Sequence, residues 1–102
     1  MKYQVVLQWP ALSMDDYDDM IAVEDLLIGN WTRRSKVDGH DFGASEANIF
    51  ILTNDPRRAF EEMRGILSKH KIWAKARIAY RLIDAEKYYV LWPPGATTFD
   101  VA

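Results

Sequence analysis

Apolar residues recur along this chain with two different periods, and the order of those periods most constrains the fold. Five segments either alternate apolar and polar residues or are apolar throughout, as β-strands are. Two segments repeat apolar residues every three or four positions, as amphipathic helices do. The order that results is β-α-β-β-α-β with one further C-terminal strand, and it predicts an α+β protein.

The first helix carries clear signals at both of its ends. A strand predicted from Lys2 to Trp9 precedes it. Ser13 or Asp15 can cap the helix, because a short side-chain oxygen accepts hydrogen bonds from the free backbone N–H groups of the first turn. The helix should run to about Ile28, and Gly29 is expected to end it, since glycine readily adopts the left-handed conformation found there.

The second helix begins at the sequence Asn-Asp-Pro. Asp55 is the predicted N-cap and Pro56 the first helical residue, where the missing N–H of proline costs no hydrogen bond. The apolar side of this helix is predicted to extend to His70 near its end. The remaining strands are predicted over Lys36–Phe42, Ala47–Thr53, Trp73–Ile83 and Tyr88–Trp92.

This order of elements fits the ferredoxin-like, split βαβ topology. A single domain over residues 1–102 is expected, in which the handedness of the crossovers places both helices on one face of an antiparallel sheet. The reverse face of that sheet then has no helix to cover it. We expect it to be solvated, covered by the C-terminal tail, or buried against a second subunit.

Composition excludes several classes of protein. The 102 residues include no cysteine, which excludes disulfides, thiolate metal sites and a cysteine nucleophile. The net charge of −2 argues against binding to phosphate backbones, so a nucleic-acid partner is not expected. The chain has no apolar run near the ~18 residues that cross a bilayer, and no metal-binding or cofactor motif. We expect a cytoplasmic protein without a cofactor.

The segment VDGHDFG at residues 37–43 concentrates polar chemistry in seven positions. Asp38, His40 and Asp41 could form a general base oriented by a carboxylate, or part of a metal site. The structural alternative is that Asp38 and Gly39 form a turn. The sequence favours this alternative, because a metal site needs three or four ligands and the other candidates show no ligand spacing.

Charge is divided unevenly between the two halves of the chain. The first helix contains Asp15, Asp16, Asp18 and Asp19, followed by Glu24 and Asp25, and no lysine or arginine among them. These acids could be a solvated face or a docking surface for a basic partner. In the later half, Lys75, Arg77 and Arg81 share a period of two with Trp73, a pattern that suits either a nucleic-acid face or a protected edge strand.

Aromatic residues are more numerous than one small core readily encloses. Four tryptophans, five tyrosines and four phenylalanines occur in the chain, and the tryptophans lie near predicted element ends. Some of these rings should line a pocket or an interface, because aromatics are enriched there. Trp9 and Trp92 are our candidates for a ligand pocket beside His40. We expect the additional aromatic residues to form the interface of a homodimer, through the open sheet face or an edge strand.

The segments LQWP, VDGHDFG with NIFILTNDPRRAF, and YYVLWPPG together resemble small stand-alone bacterial ferredoxin-like proteins of unassigned function. The resemblance implies the fold and a bacterial cytoplasmic setting, and it implies no reaction. The leading hypothesis is a non-catalytic interaction module that self-associates or inhibits a basic partner, as immunity proteins do. The alternative is a small-molecule binder or enzyme with a pocket of His40, Asp38 and Asp41.

Overall fold

The computed structural model describes residues 1–31 and 35–101. Within these ranges the strands are β1 (Tyr3–Pro10), β2 (Ser35–Gly43), β3 (Glu46–Thr53), β4 (Arg77–Leu82) and β5 (Tyr89–Trp92). The α-helices are α1 (Met14–Asn30) and α2 (Pro56–Leu67), and a short 3₁₀ helix spans Lys71–Lys75. The predicted α+β class is therefore confirmed.

The strands form one antiparallel sheet in the order β2-β3-β1-β4-β5. The first strand lies in the middle, where Val6 is paired with Phe50 of β3 on one side and Ala79 of β4 on the other. Neighbours in register share a face, because side chains alternate along a strand. The five-stranded antiparallel sheet agrees with the sequence analysis, and β1 is the strand on which both halves of the sheet depend.

The main core lies on the sheet face that carries Val5, Leu7 and Trp9. Helix α1 adds Met20, Val23 and Leu27 to this cluster, and α2 adds Ala59, Phe60, Met63 and Leu67. Both helices thus bury their apolar sides in the same cluster, which we call the helix-side core. Each large aliphatic side chain buried in this way contributes about 1.5–3 kcal/mol to folding.

The reverse face of the sheet is contacted by the C-terminal tail. Phe99 is 7% exposed and forms a second cluster with Val6 and Ala79. The amide nitrogen of Gln8, itself buried, donates to the backbone oxygen of Asp100 at 2.8 Å and to Oδ1 of Asn48 at 3.0 Å. Of the three outcomes expected for this face, cover by the C-terminal tail is therefore the one seen over part of it.

The first helix begins as predicted and ends later than predicted. Ser13 is its N-cap, and its hydroxyl accepts a hydrogen bond from the N–H of Asp16 in a reciprocal capping box. Gly29 does not end the helix, which continues to Asn30. The side-chain amide of Asn30 donates to the carbonyl of Leu26 at 2.8 Å and satisfies a backbone acceptor of the last turn.

The second helix confirms Asp55 as N-cap and Pro56 as its first residue. The strand predicted from Trp73 was wrong in its first part, because Lys71–Lys75 form a 3₁₀ helix and β4 begins only at Arg77. His70 caps this short helix, since its Nδ1 accepts the N–H of Ile72 at 3.2 Å. Apolar and polar residues alternate in this segment, as they do in a strand. The buried side chain of Ile72 instead holds the segment in a 3₁₀ helix.

We expect the tail to stabilise the fold through Phe99. The variant Phe99→Ala should lower the free energy of unfolding by about 3 kcal/mol, because it removes a buried ring and leaves a cavity against Val6 and Ala79. Urea denaturation followed by far-UV circular dichroism measures the loss. Leu12→Ala is the control, since Leu12 is 79% exposed, and should change stability by less than about 0.5 kcal/mol. Equal effects of the two variants would contradict this role.

Candidate functional site

The segment at residues 37–43 is part of strand β2 and not a turn between elements. It pairs with β3 from Ser35 to Gly43, with a register shift between Val37 and Gly39. Gly39 has φ +132°, a conformation that residues with a Cβ rarely adopt. The Asp38-Gly39 pair therefore forms a β-bulge, which bends the strand and changes the direction of the side chains that follow.

His40 contacts helix α1 through Glu24. Its Nδ1 lies 3.0 Å and 3.2 Å from the two carboxylate oxygens of Glu24, and the ring of Tyr17 approaches it edge-on at 6.4 Å. The His40 side chain is 33% exposed and that of Glu24 14%. One ring nitrogen is thus held against a mostly buried carboxylate on the helix that packs over β2.

Asp38 and Asp41 do not join this pair. Asp41 is in register with Asn48, which shares the reverse face with Gln8, whereas His40 is in register with Ile49 of the helix-side core. Asp38 lies in the bulge, and both aspartates are exposed. The predicted pocket of His40, Asp38 and Asp41 is therefore not assembled around the histidine.

Sequence reasoning missed Glu24 because it is sixteen residues from His40, on another element. The signal that could have found it is its position on α1, where it is next to the buried Val23 and only partly exposed. A carboxylate that orients an imidazole is the arrangement of a general base. Among residues 1–31 and 35–101, however, no group of three histidine, aspartate or glutamate side chains is placed to hold a metal ion.

The two candidate tryptophans are structural rather than pocket-forming. Trp9 is fully buried in the helix-side core, so it offers no surface to a ligand. Trp92 stacks on Trp73 with 5.4 Å between ring centroids, and Phe60 lies 6.0 Å away. The guanidinium of Arg64 lies 5.4 Å from the Trp92 ring centroid. The Trp92 ring is therefore surrounded by side chains of the protein itself.

Two acids of α1 contribute to the structure of the helix. The Asp16 carboxylate accepts hydrogen bonds from the backbone N–H groups of Leu12 and Ser13 at 2.8 Å and 3.1 Å. These bonds, first the one from Leu12, hold the pKa of Asp16 below its usual value. Asp19 pairs with Lys71 at 3.1 Å between Oδ1 and Nζ. Both acids therefore have partners within the chain.

Three other acids of α1 face outward. Asp15, Asp18 and Asp25 are exposed, and none of them forms an ion pair or side-chain hydrogen bond with any residue that the structure describes. Their spacing of three and seven residues aligns them along one side of the helix, over about 15 Å from first to last. We call these three residues the acidic column.

Exposed apolar side chains lie at both ends of the acidic column. Leu12 and Met14 are 79% and 72% exposed near the start of α1, and Leu26 and Ile28 are 39% and 60% exposed near its end. Ile28, the residue at which the sequence predicted the helix to end, therefore faces solvent although it is apolar. The outer side of α1 thus combines unpaired carboxylates with aliphatic groups that the fold does not bury.

The basic array predicted on the fourth strand is not assembled. Trp73 and Lys75 belong to the 3₁₀ helix, and the guanidinium of Arg77 lies 5.9 Å from the ring centroid of Phe99. Arg81 donates to Oε1 of Gln4 at 3.1 Å, and its terminal nitrogen donates to backbone oxygens that follow β4, at 2.8 Å in the case of Ile83. These arginines hold the tail and the loop after β4.

Comparisons with protein-family models, curated proteins and solved structures found no match to this chain. No helix within the described ranges is long and apolar enough to cross a membrane. Two surfaces are the functional candidates: the outer side of α1 with its acids, and His40, whose partner Glu24 is seen only in the structure.

The lowered pKa of Asp16 predicts a pH-dependent loss in the variant Asp16→Asn. A carboxyl group whose pKa is lower in the folded state stabilises the fold above its unfolded value, 3.8, and this contribution is lost as the pH falls through the folded value. We expect Asp16→Asn to be less stable than the parent at about pH 7, and the gap to shrink below about pH 4.

Urea denaturation over this pH range measures the gap. Asp15→Asn is the matched control, because Asp15 is exposed and accepts no hydrogen bond from the described residues. It should show a smaller loss and a weaker dependence on pH. A gap for Asp16→Asn that stays constant down to about pH 2 would contradict the assignment.

Proposed function

We propose that this protein is a non-catalytic interaction module whose outer α1 surface binds a basic partner protein, as an acidic, immunity-like inhibitor does. The observation that carries the proposal is the acidic column of Asp15, Asp18 and Asp25 between exposed aliphatic side chains. The partner we infer presents lysine or arginine side chains around a small apolar surface.

Charge complementarity supports this partner. An ion pair inside the chain has already neutralised Asp19, whereas the acidic column has no cation against it among the described residues. Asp15 and Asp18, which are three residues apart on the helix, repel each other by a few tenths of a kcal/mol. A basic partner would convert that repulsion into attraction, and complementary charge also speeds the encounter of two proteins.

The aliphatic neighbours of the acidic column support a protein partner rather than free cations. A protein interface generally surrounds buried apolar contacts with a polar rim. Leu26 and Ile28 at one end of α1, and Leu12 and Met14 at the other, could supply such contacts. A small cation would use the carboxylates alone and would leave these side chains exposed.

The fold supports a rigid docking surface, and we infer that it is ferredoxin-like. The strand order β2-β3-β1-β4-β5 and the packing of both helices into one cluster favour this assignment, with β5 as an added edge strand. Helix α1 is held by Met20, Val23 and Leu27 and by its capping box. Binding would therefore not require the helix to become ordered, which lowers the entropy cost of association.

Self-association has less support than binding of a basic partner. Phe99 and the neighbouring tail already contact the reverse face, and the free edge of β2 contains the bulge at Gly39 and exposed charges at Lys36 and Asp38. Bulges and charged residues on an edge strand hinder the addition of another strand. A homodimer remains a prediction that sedimentation equilibrium can test.

The alternative function is a small-molecule binder or enzyme, and one contact favours it. The Glu24 carboxylate holds Nδ1 of His40 and leaves the other ring nitrogen available on a side chain that is one-third exposed. Asp38 and Asp41 add nothing to this site, because they lie away from the histidine. If the variant His40→Ala binds small molecules with the same affinity as the parent protein, this alternative is excluded.

The proposed docking surface predicts the behaviour of the triple variant Asp15→Asn, Asp18→Asn, Asp25→Asn. Its affinity for a synthetic amphipathic lysine–leucine helix should fall by roughly tenfold or more, because three uncompensated carboxylates lose their charge. Fluorescence anisotropy of the labelled peptide at about 50 and about 150 mM salt measures affinity and its salt dependence. Asp16 and Asp19 are left unchanged, since they have structural partners.

The matched control is Asp38→Asn, Asp41→Asn, Glu61→Gln, which removes three exposed acids elsewhere and changes the net charge by the same amount. It should retain most of the affinity. The double variant Leu26→Ser, Ile28→Ser should weaken binding without changing its salt dependence. An equal loss in both triple variants would show that only net charge matters and would overturn the proposed surface.

A further inference from the structure

A groove formed by residues of the later half of the chain carries two cations, Arg57 and Lys87, that have no carboxylate partner among the described residues. It has a volume of about 420 Å³, and its residues include Arg57 from the first turn of α2, Lys87 from the loop before β5, and the aromatic pair Tyr80 and Tyr89. A second groove of about 320 Å³ adjoins it through Arg57 and Tyr80. These volumes are in the range of small-molecule sites.

The positive charge of Arg57 lies at the amino end of α2, where a positive charge destabilises a helix. The first turn of α2 contains no acid and carries Arg57 and Arg58, although the amino end of a helix favours negative charge. Arg58 is compensated by Glu62, with Nε 3.6 Å from Oε1. The Arg57 side chain forms no ion pair or hydrogen bond with any other residue in the described part of the chain. An anion bound to Arg57 would neutralise this positive charge and remove its unfavourable interaction with the helix dipole.

Lys87 is held at the same groove by an aromatic contact. Its ammonium nitrogen lies 5.1 Å from the ring centroid of Tyr89, and Tyr89 stacks on Tyr80 at 5.4 Å. The Tyr89 ring thus contacts both an ammonium group and a second aromatic ring, although the residue is 47% exposed. What the groove offers to a ligand is therefore the ammonium, the guanidinium and the edges and hydroxyls of two tyrosines.

Carboxylates do not compete for these cations within the groove. No aspartate or glutamate is among the described residues that line it, and the adjoining groove contains only Asp55. The Asp55 side chain is engaged as N-cap, accepting the N–H of Arg58 at 3.2 Å. The aliphatic side chain of Leu91 packs, like Tyr80, against the helix-side core and is the apolar neighbour of the tyrosines in this groove.

We propose that this groove binds small phosphate monoesters. A phosphate monoester carries a charge of about −1.5 to −2 at pH 7, which matches two cations, and its oxygens accept the paired N–H groups of a guanidinium. Arg57 and Lys87 bind the phosphate, while Tyr80, Tyr89 and Leu91 contact the organic group. The site lies on other elements than the acidic column, so it is independent of the proposed partner surface.

Titration of the ¹⁵N-labelled protein with phenyl phosphate tests the proposal. Amide shifts should saturate and cluster around residues 54–57 and 87–91. Arg57→Gln and Lys87→Gln should each raise Kd about tenfold, the cost of one charge-assisted contact. Arg58→Gln is the matched control, because it removes the same charge from the same helical turn, and its Kd should be unchanged. Arg57→Lys keeps the charge and should still weaken binding by losing the guanidinium geometry.

Inorganic phosphate and benzoate are the comparison ligands. Both should bind more weakly than phenyl phosphate, the first because it lacks the organic group and the second because it carries one charge. The proposal is overturned if Arg58→Gln weakens binding as much as Arg57→Gln, or if either comparison ligand binds as tightly as phenyl phosphate. Shifts that do not saturate at about 10 mM ligand would overturn it as well.

Discussion

The burial of β1 on both of its faces is the constraint on which the rest of this structure depends. Five successive residues of the strand, from Val5 to Trp9, are almost completely inaccessible to solvent. Val5, Leu7 and Trp9 pack in the cluster that contains residues of both helices, and Val6 packs in the cluster with Phe99 of the C-terminal tail. An apolar central strand has to be buried on both faces. This burial is achieved by the order of the strands, the packing of the helices and the path of the C-terminal tail.

Gln8 helps to fix the position of the C-terminal tail on the reverse face of the sheet. An amide buried beneath a tail is costly unless its donors are satisfied, and its nitrogen meets both Asn48 and the backbone of Asp100. Phe99 supplies the apolar part of the same contact. The tail is therefore positioned by a hydrogen bond and an aromatic ring together, although it has no regular secondary structure.

Local signals in the sequence predicted local structure well. Ser13 and Asp55 were identified as caps because capping is decided within one helical turn, and alternation predicted the antiparallel strands. Failures came where partners are distant along the chain. The 3₁₀ helix before β4 depends on the burial of Ile72, and the pairing of His40 with Glu24 depends on how α1 crosses β2. No spacing rule within a single sequence encodes either contact.

The aspartates of helix α1 fall into two groups, which differ in whether they have partners within the described part of the chain. Asp16 and Asp19 are tied to the capping box and to Lys71, whereas Asp15, Asp18 and Asp25 make no contact that the fold requires. Substitutions in the second group should therefore disturb the fold less than those in the first. The charge on the outer side of this helix could change between descendants of one ancestral chain while the scaffold beneath it stays the same.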